Sequence, residues 1–211
     1  MRDHKQGDLK DYSKAVDEWS TSGQWWRTAT ALFQTMKIAG SPKVLDVGCN
    51  QGALHDVLRA FNPAARYHGV DYNPEAIQLG LEKAPHRQLC AFDGVTIKER
   101  NVGHVVCIHT LPHTAYPAEL LKSMRDTLQP GGKLGMLVAN PRHDKWLALD
   151  NLLSGYKGDP TIRQMWSETQ LHDLVYAAGF RNIVITYVGR KAYSFLGDNT
   201  RQWFQLIAER L

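Results

Sequence analysis

The stretch Lys43-Val44-Leu45-Asp46-Val47-Gly48-Cys49-Asn50-Gln51-Gly52 decides how this chain reads. Val44, Leu45 and Val47, led in by Ile38-Ala39, have the character of a buried strand, and Gly48 and Gly52 then let the backbone turn sharply into a helix. In that helix Leu54, Val57, Leu58 and Phe61 fall at i, i+3, i+4 and i+7, so one face packs on the strand, and Asn62-Pro63 stops it. A strand, a glycine-rich bend and a helix start present backbone N–H groups and the positive end of a helix dipole. The unit is a ligand cradle.

Its details narrow the ligand. A dinucleotide fingerprint has a second and third glycine where this chain has Asn50 and Ala53, which argues against a pyrophosphate. A P-loop needs Lys-Ser/Thr after the second glycine, and Gly52 is followed by Ala53-Leu54. Asp46 repels phosphate but can orient an ammonium group. The ligand suggested is a nucleoside joined to an amino acid.

Val-Leu-Asp-Val-Gly-Cys-Asn-Gln-Gly resembles the first motif of the class I S-adenosylmethionine-dependent methyltransferases, with Asn50 in place of the middle glycine. Gly69-Val70-Asp71-Tyr72-Asn73-Pro74 resembles the second motif. Asp71 comes one βαβ unit after the first bend, where a carboxylate can accept from both ribose hydroxyls. Asn73 and Pro74 supply the cap and first turn of the next helix, over 74–84, which leaves Asp71 available for that task. Asp93-Gly94, after a third strand at 88–91, reads by itself as a turn. The resemblance gives Asp93 the adenine amino group and makes Phe92 a ring neighbour.

A fourth strand, Val102–Ile108, is a near-continuous apolar run that His104 interrupts where the family more often has Asp. His109-Thr110-Leu111-Pro112-His113-Thr114 follows, at a strand's carboxyl end, where ligands gather in open α/β sheets. Two histidines four apart suit a metal on one helix face, but Pro112 lies between them and a third ligand is missing, so no metal is expected. His109 can take a proton from an acceptor as a general base, or simply shape the loop. The resemblance makes a structural His113 the alternative to a catalytic one.

The resemblance therefore implies a donor site built from Asp46, Gly48, Cys49, Asn50 and Gly52 in the first bend. Asp71 and Tyr72 join from the second strand, Phe92, Asp93 and Gly94 from the third, and His109 from the fourth, with His109 and His113 as the catalytic candidates. The donor is S-adenosylmethionine and its product S-adenosylhomocysteine.

Residues 1–40 precede the first core strand. Tyr12, Val16 and Trp19 share one helical face, and Ala29, Leu32, Phe33 and Met36 share another. Core packing accounts for such aromatic helices; as a lid, the segment brings Tyr12 and Trp26 to the donor. After a helix over 117–128, Gln129-Pro130-Gly131-Gly132 resembles the family's turn before the fifth strand, 133–138. Residues 141–166, with Arg142, His143, Lys145, Trp146, Tyr156, Arg163 and Trp166, form a long irregular insertion expected to cap an acceptor pocket. Ser167-Glu168-Thr169-Gln170 is a capping box, and 182–188 and 203–208 resemble the antiparallel pair that ends a methyltransferase sheet.

The expected fold is a three-layer α/β/α sandwich, Rossmann-like, with a seven-stranded mostly parallel sheet whose last strand is antiparallel. Residues 1–40 are the lid and 41–211 the catalytic domain. Over 211 residues, 43% apolar and 22% charged with a net charge of +4, the basic residues alternate with acids, so a nucleic-acid partner is not favoured. No apolar run spans a bilayer and the polar start is no signal peptide, so a cytoplasmic monomer or homodimer is expected. Cys49, Cys90 and Cys107 read as buried thiols, neither disulfides nor a zinc site. The function expected is methyl transfer to an O, N or C nucleophile of a small molecule. The alternatives are an RNA or tRNA methyltransferase, a non-catalytic donor-binding partner protein, and a nicotinamide reductase.

Overall fold

The computed structural model describes residues 23–141, 161–191 and 201–211. Helix α1 (Gly23–Met36) leads to strand β1 (Lys43–Val47), α2 (Leu54–Phe61), β2 (Arg66–Asp71), α3 (Pro74–Lys83) and β3 (Leu89–Ala91). After a long connection come β4 (Val102–Ile108), a 3₁₀ turn (Leu111–His113), α4 (Pro117–Thr127), β5 (Leu128–Ala139), α5 (Glu168–Ala177), β6 (Arg181–Lys191) and β7 (Arg201–Glu209).

The seven strands form one sheet in the order β3-β2-β1-β4-β5-β7-β6. Strands β3 to β5 pair in parallel, and β7 runs antiparallel to both β5 and β6. The expected α/β/α sandwich is the observed one. The strand order reverses between β1 and β4, so their carboxyl ends diverge over a crevice where a ligand can enter.

Each sheet face has its own core. On one, α1, α2 and Ile77 of α3 cover Val44, Val106 and Leu137; on the other, α4 and α5 cover Leu45, Val105 and Leu134. The periodic positions of α1 are its buried ones, and Leu32, Phe33 and Met36 have no exposed surface. Burial of three such side chains stabilises by about 1.5–3 kcal/mol each. Residues 23–36 of the segment expected as a lid therefore pack as a layer of the sandwich, the core packing that their periodicity allowed. Tyr12 and the rest of 1–22 lie outside the described residues.

One boundary and one burial differ in kind from expectation. Gln129–Gly132 continues β5 instead of forming a separate turn, because Gly131 donates to the Arg210 carbonyl and Arg210 donates to that of Gly132. The β4–β5 pairing shifts register between Val102 and His104 where these added residues enter. Strand β3 is an edge, so Cys90 is exposed and not buried as expected, whereas Cys49 and Cys107 are buried. Among the described residues no helix is long and apolar enough to cross a membrane.

Candidate functional site

The bend after β1 is held from four sides. Gly48 and Cys49 both donate to the Val70 carbonyl on β2 (2.8 and 3.1 Å), and Gly52 donates to Cys49. Arg87 donates to the Gln51 carbonyl at 2.8 Å while pairing with Asp56 on α2. From the segment after β4, the Thr110 hydroxyl donates to the Val47 carbonyl at 3.1 Å. A Cβ on Gly48 would lie 2.0 Å from Thr110 Oγ1, and Gly48 and Gly52 have φ of 78° and 80°, so glycine is required twice over. Asn50, the departure from the motif, sits at φ 49°. Asparagine is among the few L residues that tolerate this left-handed region, so it replaces the glycine without altering the bend.

Asp71 closes the bend. Its Oδ2 accepts the Asn50 N–H at 2.8 Å and its Oδ1 accepts the Asn73 N–H at 2.9 Å. The carboxylate expected to be uncommitted is thus already a brace, with its remaining lone pairs left for a ligand. Burial raises its pKa, and the N–H donors of Asn73, Asn50 and Tyr72 oppose that rise. The capping role assigned to Asn73 is borne out, since its side chain accepts from Glu75 and Ala76.

Asp46 is more exposed to the cost of burial. It is 3% accessible and accepts from the Tyr67 hydroxyl at 2.7 Å across the β1–β2 pairing. Burial pushes its pKa to about 7 against the lowering effect of Tyr67, and the Asp71 charge adds to the rise. A cation brought to this carboxyl would recover much of that cost. The Cys49 thiol beside it is also pushed well up, by burial first and then by Asp46 and Asp71, so Cys49 is inert.

At the ends of β2 and β3, Tyr72 is 54% exposed and Phe92 packs against the α4-side core. Tyr72 is therefore the more exposed of the two aromatic rings, and Phe92 is half-buried. Asp93 is exposed and its Oδ1 accepts from Val95 and Thr96, which holds its pKa below the usual carboxylate value. It is both the expected turn residue and a solvent-facing acceptor. A Cβ on Gly94 would be 3.6 Å from the Tyr72 Cβ, so these strand ends form one rim.

His109 leaves β4 at φ 55°, with its ring edge-to-face on Trp203 at 5.1 Å. Burial, and secondarily His113, lowers its pKa to about 4. It is neutral at physiological pH and a weak base. His113 ends the 3₁₀ turn, not an α-helix, and its Nδ1 lies 2.9 Å from Thr161 Oγ1. The helix-face metal geometry is absent at this pair.

The Pro112 carbonyl accepts the N–H groups of Arg163 and Gln164, so the described end of the 141–166 insertion lies across the carboxyl end of β4. Arg163 is exposed there, and its charge lowers the Tyr72 pKa against the dominant effects of burial and Asp71. Helix α1 starts at the same edge: Gln24 donates to Gln202, whose carbonyl accepts from Asn140. Trp26 is in its first turn and 36% exposed. A cavity of about 380 Å³ lies elsewhere, at the amino-terminal edge of the sheet, lined by Lys43, His55, Arg66, Tyr67, His68 and His86. The sequence reading missed Tyr67, Arg87 and Thr110, whose partners are 21, 36 and 63 residues away.

A family model described as a methyltransferase domain matches residues 22–185. Trans-aconitate 2-methyltransferase of Pseudomonas aeruginosa is 26% identical over 69% of this chain and 54% of its own length. Malonyl-[acyl-carrier protein] O-methyltransferase of Brevibacillus brevis is 27% identical over 68% and 56%. A SAM-dependent methyltransferase structure from Aquifex aeolicus superposes with a TM-score of 0.70 at 12% identity, covering 94% of this chain and 98% of that one. The chain spans about half the length of most curated relatives it matches.

Proposed function

The chain belongs to the class I S-adenosylmethionine-dependent methyltransferases, and we propose that within them it methylates a carboxylate oxygen of a small organic acid. The donor fits the residues present: a bend of positive-φ backbone for its amino-acid end, a buried carboxyl with elevated pKa for its ammonium, and an exposed tyrosine beside two acids for its nucleoside. In the proposed arrangement Asp46 faces the ammonium, Gly48 to Gly52 line the methionine portion, Asp71 takes the ribose, and Tyr72 and Asp93 take the adenine. When bound, S-adenosylmethionine supplies a methyl group on a sulfonium primed to leave. This chain's own contribution is to orient an acceptor oxygen in line with that methyl group and to exclude water.

Two observations carry the acceptor assignment: His109, at the end of β4, is neutral and weakly basic, and the backbone of Arg163, an exposed cation, is tied to Pro112 three residues further on. An alcohol or amine acceptor profits from a base, whereas a carboxylate is a nucleophile at neutral pH and needs none. What it needs is a cation to hold its charge. The names of the two relatives, a methyltransferase of trans-aconitate and one of a malonyl group, agree with an acidic acceptor. His113, tied to Thr161, positions the insertion that carries Arg163.

The test is transfer of labelled methyl groups to a panel of mono-, di- and tricarboxylic acids, with esters scored by release of volatile methanol in alkali. The expected result is ester formation on at least one acid, with Arg163→Ala raising KM about tenfold or more at little cost in kcat. Alkali-stable products, or transfer to tRNA that weakens steeply with salt, would overturn the assignment.

A further inference from the structure

On the face of the sheet away from Asp46, a second constellation is left over from the donor site. His68 on β2 and Cys90 on β3 share this face, diagonal to one another across the Val70–Cys90 pairing. The connection between β3 and β4 crosses the same face, anchored by the fully buried Ile97, and delivers Glu99. Cys90 Sγ is 3.5 Å from His68 Nε2, and Glu99 Oε1 is 3.1 Å from His68 Nδ1. Each residue offers a donor atom within 4.8 Å of the other two.

We propose that Cys90 Sγ and His68 Nε2 bind a zinc-class divalent transition-metal ion, with Glu99 as the carboxylate that orients the histidine. Zinc bonds of about 2.3 Å to sulfur and about 2.05 Å to nitrogen, set at a tetrahedral angle, separate the two ligand atoms by about 3.6 Å. The observed separation of 3.5 Å already matches that edge. With its proton on Nδ1 and donated to Glu99, the imidazole turns its Nε2 lone pair toward the thiol, the carboxylate–histidine arrangement that holds metal-binding histidines in one tautomer. The ion replaces the thiol proton, which leaves to solvent. A sulfur and an imidazole nitrogen select zinc, cobalt or a similar ion over magnesium or calcium. The remaining coordination positions go to water, since Cys90 is exposed and His68 also lines the cavity at the amino-terminal edge.

Sequence spacing hides this site because the ligands are 22 residues apart and are joined by strand pairing alone. Bound metal would tie the edge strand β3 to β2. His68 and Cys90 each stand three residues before an acid of the rim, Asp71 and Asp93, so the tie lies along the strands that carry the donor site.

The test uses the full chain and cobalt(II), with zinc as competitor. One cobalt per chain should bind with thiolate-to-metal charge-transfer absorption in the near ultraviolet, and zinc should displace it and raise Tm. Cys90→Ser should remove the charge-transfer band while the protein remains folded by circular dichroism. Glu99→Gln should keep the band and weaken zinc about 10–100-fold. A folded wild-type chain with no band, or a band that persists in Cys90→Ser, overturns the site. Neither result bears on methyl transfer, which is read separately by S-adenosylhomocysteine binding.

Discussion

Replacing Asp46 by Asn should stabilise the ligand-free protein and weaken its hold on the methyl donor. The two effects share one cause. The Asp46 carboxyl is fully enclosed, receives a phenol hydrogen bond from Tyr67, and has a pKa of about 7 against 3.8 for an ordinary aspartate. Its folded-state pKa is raised, so the stability linked to it is full below 3.8 and is lost as pH rises to about 7. That interval corresponds to about 4 kcal/mol as an upper bound. Asparagine does not titrate, fits the same space, and still offers a carbonyl oxygen to Tyr67. Urea unfolding from pH 4 to 8 should therefore show a mutant advantage that grows with pH toward 8, equivalent to about 2–8 °C in Tm for 1–2 kcal/mol in a chain of this size. S-adenosylhomocysteine should reverse the order at pH 8, because only the carboxylate pairs with the ligand ammonium. Isothermal titration should give a wild-type affinity higher by tenfold or more, and an analogue lacking the amino group should not discriminate. An Asp46→Asn protein less stable than wild type at pH 8, or one that binds the product equally well, would refute the reasoning.

Asp71→Ala should weaken S-adenosylhomocysteine binding tenfold or more by isothermal titration, since it removes the ribose acceptor together with the acceptor for Asn50 and Asn73. Gly48→Ala should abolish binding, because its Cβ would lie 2.0 Å from Thr110 Oγ1, and Gly48→Ala/Thr110→Gly should recover part of it by relieving the clash but not the strain of φ 78°. With a carboxylate acceptor, the pH profile of kcat should stay flat from 6 to 8 in both wild type and His109→Ala, because a histidine of pKa about 4 does not titrate there. A limb near 6.5 that vanishes in His109→Ala would make that residue the base.

Much of the fold was legible because periodicity survives the loss of tertiary context. The face Leu54, Val57, Leu58 lies buried as spaced, the Ser167–Gln170 capping box closes as written, and Gly179 ends α5 with a φ of 95°. Each of these depends on residues within a few positions of one another. Where a boundary moved, a distant partner moved it: Arg210 drew Gln129–Gly132 into β5, and the edge position of β3 exposed Cys90. The role of α1 was left between core packing and a lid for a related reason. Its apolar face was read correctly, but periodicity alone does not say whether such a face closes over a ligand or rests on a sheet.

The candidate site divides along the same line. Gly48, Asn50 and Gly52 could be assigned from sequence because the backbone conformation they permit is a property of the residue itself. The work of the two acids could not, because it depends on what donates to them. Asp71 receives backbone N–H bonds from Asn50 and Asn73, which hold part of its charge, whereas Asp46 is supported by the Tyr67 phenol hydroxyl. Of two neighbouring buried carboxyls, Asp46 is therefore the one a cation would most improve, and Asp71 the one that shapes the bend around it. Tyr67, a residue of no motif, placed by the β1–β2 register within reach of Asp46, narrows that asymmetry without closing it. Tyr67→Phe should accordingly raise the Asp46 pKa further and move the pH window of the Asp46→Asn comparison upward. An unchanged window would mean that solvent, not the phenol, supports that charge.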